Sequence, residues 1–238
     1  DAPDAAPSRE SLEKAFLSHK SDCDKSDAIA CNELGIDYQE GRGVAKDSAA
    51  AARAYQTACD KGGASACSNL GALYEDGAGV PRDLAKAQNL YRLGCDRNSG
   101  AGCNFLGVQQ RDGLGALHPD DYRAVALFDK ACKLRSGPGC TNLGFMYSKG
   151  RGVAKDGKKA VELYTRACDE GSAQGCHNLA VRYEQGEDVA KSPPDAARLY
   201  KKACDGGIAD GCCNLGTLWE HGDGVPKKDF DLASRLYK

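Results

Sequence analysis

The chain has 238 residues, 32 Lys and Arg against 34 Asp and Glu, and a net charge of −2, so it carries no basic footprint for nucleic acid. Hydrophobic residues make up 41% and charged residues 28%, a balance that folds rather than stays disordered. No run of about 18 apolar residues is present to span a bilayer.

Length alone predicts one or two globular domains. A repeat replaces that expectation. Cys31, Cys67, Cys103, Cys140, Cys176 and Cys212 return at separations of 36 or 37 residues, the mark of an array whose units contact mainly their neighbours.

Residues 1–7 read as a flexible spacer, either at an imposed boundary or behind a removed secretion signal, and the cysteine content favours the second. Residues 8–30 are expected to form an N-terminal capping half-repeat. Pro7-Ser8-Arg9-Glu10-Ser11 resembles a helix start, with Leu12, Ala15, Phe16 and His19 following at helical spacing. The array itself is predicted over 31–238, in units 31–66, 67–102, 103–139, 140–175, 176–211 and 212–238.

Each unit repeats one grammar, clearest in 67–102. Cys67, Leu70, Gly71 and Tyr74 form one stripe of an α-helix. Gly77-Ala78-Gly79-Val80 ends it, because glycine takes positive φ without strain. A second helix starts behind Asp83, a residue suited to an N-cap, and the equivalents are Asp47, Asp120, Asp156, Ser192 and Asp229. Inside it a small residue (Ala51, Ala87, Ala124, Ala160, Ala196, Ala233) precedes an aromatic by four positions: Tyr55, Tyr91, Phe128, Tyr164, Tyr200 and Tyr237. Small against large at that spacing lets neighbouring helices interlock.

The cysteines have their own period. Cys23 and Cys31, Cys59 and Cys67, Cys95 and Cys103, Cys132 and Cys140, Cys168 and Cys176, and Cys204 and Cys212 are each separated by seven residues. Six equal spacings predict six local disulfides, each stapling two antiparallel helices across their turn, in an oxidising compartment that is secreted or periplasmic. Two other readings exist. Zinc wants C-x2-C pairs or cysteine with histidine, and the four histidines occupy unrelated repeat positions, so no metal or cofactor is expected. Reduced cysteines acting as small core residues would leave the paired return of both members unexplained. Cys213 is left over as a free thiol, at a position held elsewhere by Asn32, Ser68, Asn104, Thr141 and His177. It is either inert or able to bridge to another molecule.

The copies NLGALYEDGAGVPRDLAKAQNLYR, NLGFMYSKGRGVAKDGKKAVELYTRAC and NLGTLWEHGDGV resemble the Sel-one-like repeat, a relative of the tetratricopeptide repeat. With the seven-residue cysteine spacing, the chain is similar to the cysteine-rich secreted Sel-one-like proteins first known from Helicobacter. The resemblance covers about residues 20–238. The expected fold is an all-α, right-handed solenoid of about six disulfide-stapled helix-turn-helix repeats with an N-terminal capping helix.

For function the resemblance implies a scaffold that binds a protein or extended peptide on its concave face. It also raises a second class, weak penicillin binding or β-lactam hydrolysis. A serine enzyme of that kind needs S-x-x-K, and Ser11-Leu12-Glu13-Lys14 fits the letters without an S-D-N or K-T-G partner. A purely structural spacer is the third option. The G-x-G turns do not follow strands and are read as turn glycines, not phosphate loops.

Positions two, five, six and nine after each first-helix cysteine are expected to share the face opposite the core stripe. Asparagine recurs at the first of these although it is a poor helix-interior residue. By resemblance to tetratricopeptide proteins, Asn69, Asn142, Asn178 and Asn214 are candidates to hold a peptide backbone or terminal carboxylate, with Lys149 and Arg182 as nearby cations. The alternative is that the asparagines bond to neighbouring repeats. At the other end, Leu232, Leu236 and Tyr237 are expected to be partly bare, which reads as truncation or as self-association through that end.

Overall fold

The computed structural model describes residues 8–114 and 118–237. The expected spacer at 1–7 lies outside the described residues. The helices are α1 (Arg9–Asp24), α2 (Ala28–Glu40), α3 (Ser48–Asp60), α4 (Ala64–Asp76), α5 (Leu84–Asp96), α6 (Gly100–Asp112), α7 (Asp121–Lys133), α8 (Gly137–Lys149), α9 (Gly157–Asp169), α10 (Ala173–Gln185), α11 (Pro193–Asp205), α12 (Ala209–His221) and α13 (Phe230–Leu236). The fold class is the expected all-α solenoid of helical hairpins.

Two compact units divide the chain, residues 1–119 and 120–238. The first carries α1 to α6, with one buried cluster around Tyr55, Cys59, Cys67, Leu70 and Leu73. The second carries α7 to α13, with a cluster around Tyr164, Leu179, Tyr200, Leu215 and Leu218.

Short-range chemistry sets the helix ends. The Asp47, Asp83, Asp120, Asp156 and Asp229 side chains each accept a backbone N–H in the first turn of their helix. Ser192 differs: it sits at the N-cap of α11 without capping, and its hydroxyl donates to the Asp195 carboxylate at 2.7 Å. Acidic caps open the second helices, and glycines at Gly41, Gly77, Gly113, Gly150, Gly186 and Gly222 close the first helices in the left-handed conformation.

In repeats one, two, four and six the tyrosine of the second helix lies against a glycine of the first, and repeat five has Ala180 at that position. A β-carbon built on Gly71 would stand 2.8 Å from the Tyr91 ring, and one on Gly144 would stand 2.7 Å from that of Tyr164. Real side chains do not approach so closely, so glycine here sets the spacing of the two helices.

Six disulfides join the end of one helix to the first turn of the next: Cys23–Cys31, Cys59–Cys67, Cys95–Cys103, Cys132–Cys140, Cys168–Cys176 and Cys204–Cys212. Their Cα atoms lie between 4.5 and 4.7 Å apart, within the range an unstretched bridge requires. Cys213 is an exposed free thiol.

Candidate functional site

The repeat supplies a recurring hydrogen bond that the apolar periodicity does not announce. In repeats one, two, five and six the tyrosine of the second helix carries its hydroxyl to the residue eight positions after the first-helix cysteine. Tyr55 donates to Gln39 at 2.8 Å, Tyr91 to Glu75 at 2.5 Å, Tyr200 to Glu184 at 2.6 Å and Tyr237 to Glu220 at 2.9 Å. Burial pushes the Tyr55, Tyr91 and Tyr200 hydroxyls above their ordinary range, and for the latter two the accepting carboxylate adds to the effect. A signal for this pairing does exist in the sequence. In the third repeat Phe128 lacks a hydroxyl, and Arg111 stands where the other repeats carry an acceptor.

Repeat four departs from the pattern. Its residue at that position is Ser148, whose side chain is too short to meet the tyrosine. Tyr164, 3% exposed, donates to Ser148 only at 3.5 Å, the outer limit of a hydrogen bond. The Ser148 hydroxyl itself donates to the Phe145 carbonyl at 2.9 Å.

Beside this loose contact lies a pocket of about 170 Å³, lined by Phe145, Ser148, Lys149, Tyr164, Asn178, Val181 and Arg182. Three of the six candidate contact residues, Lys149, Asn178 and Arg182, are brought together here from α8 and α10. The Arg182 side chain is 16% exposed and pairs through Nη1 with the carboxylates of Glu187 and Asp188. Asp188 holds a left-handed φ of 62° where other repeats use glycine, and its carboxylate lies over Gly157, which has no side chain to displace it.

The other candidates are distributed differently. Asn69 donates to Asn32 at 3.1 Å, and Asn214 lies 3.3 Å from His177 Nε2, so both join successive first helices. Asn178 accepts from Gln174 of its own helix at 3.0 Å. Asn142 is half-buried on α8.

The expected outward stripe needs one correction. Position six points inward: Asp37, Leu73, Gln109, Met146 and Leu218 are all buried. The reason lies outside the helix itself. α4 packs against α6 and α8 against α10, and a residue turned toward such a joint is covered whatever its own polarity. Arg182 occupies this position in repeat five, which is how a cation comes to stand at the edge of the core.

The serine considered for hydrolysis has a local role. Ser11 lies exposed in the first turn of α1, its hydroxyl donating to the Ser8 carbonyl at 2.8 Å while its N–H donates to Ser8 Oγ. Another polar pair joins α1 to the array, with His19 Nδ1 2.6 Å from the buried Asp37 carboxylate. Among the described residues, no helix is long and apolar enough to cross a membrane.

The sequence matches the Sel1 repeat family at residues 28–63, 64–99, 100–136, 137–172, 173–208 and 209–238. A Sel1 repeat protein from Oxalobacter formigenes is 27% identical, with 89% of this chain and 86% of that one covered and a TM-score of 0.78. The protective antigen c5321 of uropathogenic Escherichia coli, which displays an SLR fold, is 28% identical with a TM-score of 0.71. The match covers 93% of this chain and 47% of the antigen, so the chain spans about half of that protein's length. Cysteine-rich protein B of Helicobacter pylori is 33% identical over 55% of this chain and 93% of its own, with a TM-score of 0.45. None of the curated proteins matches the chain. With six matched copies spanning residues 28–238, the chain belongs to the Sel1 repeat family.

Proposed function

We propose that this chain is an exported, non-catalytic scaffold that binds a protein or an extended peptide on the outward face of its first helices. In the second unit the contact centres on Lys149, Asn178 and Arg182. The observation that carries this reading is their convergence around one pocket, on a repeat family that generally mediates protein interactions. Repeat scaffolds keep a constant core and vary the exposed side chains, and Lys149 belongs to that variable set, its equivalents being Glu40, Asp76, Asp112, Gln185 and His221. Export rests on the six disulfides, because such bridges persist in oxidising compartments and are reduced in most cytosols.

Photo-crosslinking tests this directly. A photoreactive amino acid placed at Asn178 is expected to capture one defined partner from the extracytoplasmic fraction, and Lys149→Glu is expected to abolish the capture. A probe at the exposed Lys61, in the first unit, serves as the control. Equal capture at both positions, or capture unaffected by Lys149→Glu, would refute the assigned face.

A further inference from the structure

Repeats two and five place a carboxylate against the buried tyrosine of the second helix, Glu75 on Tyr91 and Glu184 on Tyr200, and repeat six places Glu220 on the exposed Tyr237. Repeat one uses the Gln39 amide oxygen on Tyr55. Repeat four keeps the tyrosine and has lost the acceptor. Ser148 is several atoms shorter than glutamate, and the space left open is the pocket beside Tyr164. A hydroxyl that is more than nine-tenths buried and lacks a good acceptor is costly, and strong satisfaction is worth more in a dry site.

The same repeat boundary adds positive charge. Arg182 replaces the apolar residue found at Leu73, Met146 and Leu218, and Lys149 stands at the pocket mouth. Both loop carboxylates engage Arg182 through Nη1, its side chain also reaches the Tyr164 hydroxyl, and a guanidinium carries five N–H donors.

We propose that the pocket between α8, α9 and α10 binds a carboxylate supplied by a ligand, which takes the place of the glutamate that repeat four lacks. Tyr164 turns its hydroxyl from Ser148 to donate to it, Arg182 and Lys149 supply charge, and Phe145 and Val181 bound the small group attached to it. A pocket of about 170 Å³ admits a carboxylate with a short stem and no large ring. The two sources are the C-terminus of a peptide and the side chain of Asp or Glu. This rests on reading Lys149, Asn178 and Arg182 as contact residues and names the chemistry they contact.

The test is an amide-shift titration of the oxidised full chain by NMR with three small probes. N-acetyl-L-alanine offers a terminal carboxylate, N-acetyl-L-alanine amide offers none, and N-acetyl-L-aspartate α-amide offers only a side-chain carboxylate. Saturable shifts at Ser148, Lys149, Asn178 and Arg182 are expected from at least one acid and none from the amide. Which acid binds more tightly identifies the source.

Two variants restore what sibling repeats carry. Ser148→Glu installs an internal carboxylate, and Arg182→Leu copies repeats two and six. Each is expected to keep the fold, read from the remaining amide shifts, and to weaken acid binding at least about tenfold. Equal shifts from the amide, absence of saturable shifts from both acids, or wild-type titration of both folded variants would overturn the proposal. If the acids bind as described while crosslinking at Asn178 finds no partner, the scaffold reading falls and the pocket stands. If a partner is captured and Ser148→Glu leaves it unaffected, the reverse holds.

Discussion

A buried tyrosine is only as well placed as the acceptor that meets its hydroxyl, and the repeats differ on this point. Tyr91 meets a carboxylate at 2.5 Å, whereas Tyr164 meets a serine at 3.5 Å. Tyr91→Phe is therefore expected to cost about 1.5–3 kcal/mol, the range for a hydrogen bond to a charged partner, measured by denaturant unfolding of the oxidised protein. Tyr164→Phe should cost under about 1 kcal/mol, because so little of a bond is lost. A larger loss for Tyr164 than for Tyr91 would contradict the pairing.

The same residues give a pH dependence. Burial raises the hydroxyls of Tyr55, Tyr91, Tyr164 and Tyr200 in the folded chain above their ordinary value, which is about 10. The folded state then holds protons that the unfolded state releases, so this contribution is complete below about pH 10 and is lost as pH rises past it. Thermal midpoints taken at pH 9, 10 and 11 should fall across that series, and less steeply in Tyr91→Phe. An unchanged slope in the variant would remove Tyr91 from the explanation.

At the scale of the element, much was legible in the sequence. The acidic N-caps, the glycine stops and the paired cysteines are local devices, and local devices leave a fixed spacing. Partners across helices leave fainter traces. Position six of the first helix reads as outward by its own periodicity, yet Met146 and Leu218 are buried because the adjoining helix covers them. The tyrosine-acceptor bond spans 16 or 17 residues and shows in the sequence only as the joint change to Phe128 and Arg111. Lys149, Asn178 and Arg182 could be named individually, but their shared pocket depends on the register of α8 against α10. Ser148 and Tyr164 were missed because serine and a repeat aromatic carry no signal of a site alone.

Disulfides act at this same scale. Each closes a loop of about nine residues, for which the chain-entropy account gives about 2–3 kcal/mol. Replacing Cys95 and Cys103 together by alanine should remove that amount and leave the other five bridges intact. Denaturant unfolding beside a thiol assay on the denatured variant checks both statements. A loss near zero would mean that packing of Tyr91 and Leu106, rather than the bridge, holds this joint.

For the whole molecule, thin hairpins built largely on alanine, glycine and one aromatic each bury little apolar area. Sulfur offsets the shortfall at every joint between consecutive hairpins. The export proposal, the persistence of the repeat stack and the fixed geometry of the Tyr164 pocket all depend on those bridges being formed. Peptide-mapping mass spectrometry of protein taken unreduced from its native compartment, with free thiols blocked at lysis, tests this most directly. It is expected to find the six bridges Cys23–Cys31 through Cys204–Cys212 and a single blocked thiol at Cys213. More than one free thiol per chain, or bridges that link cysteines of distant repeats, would contradict the account.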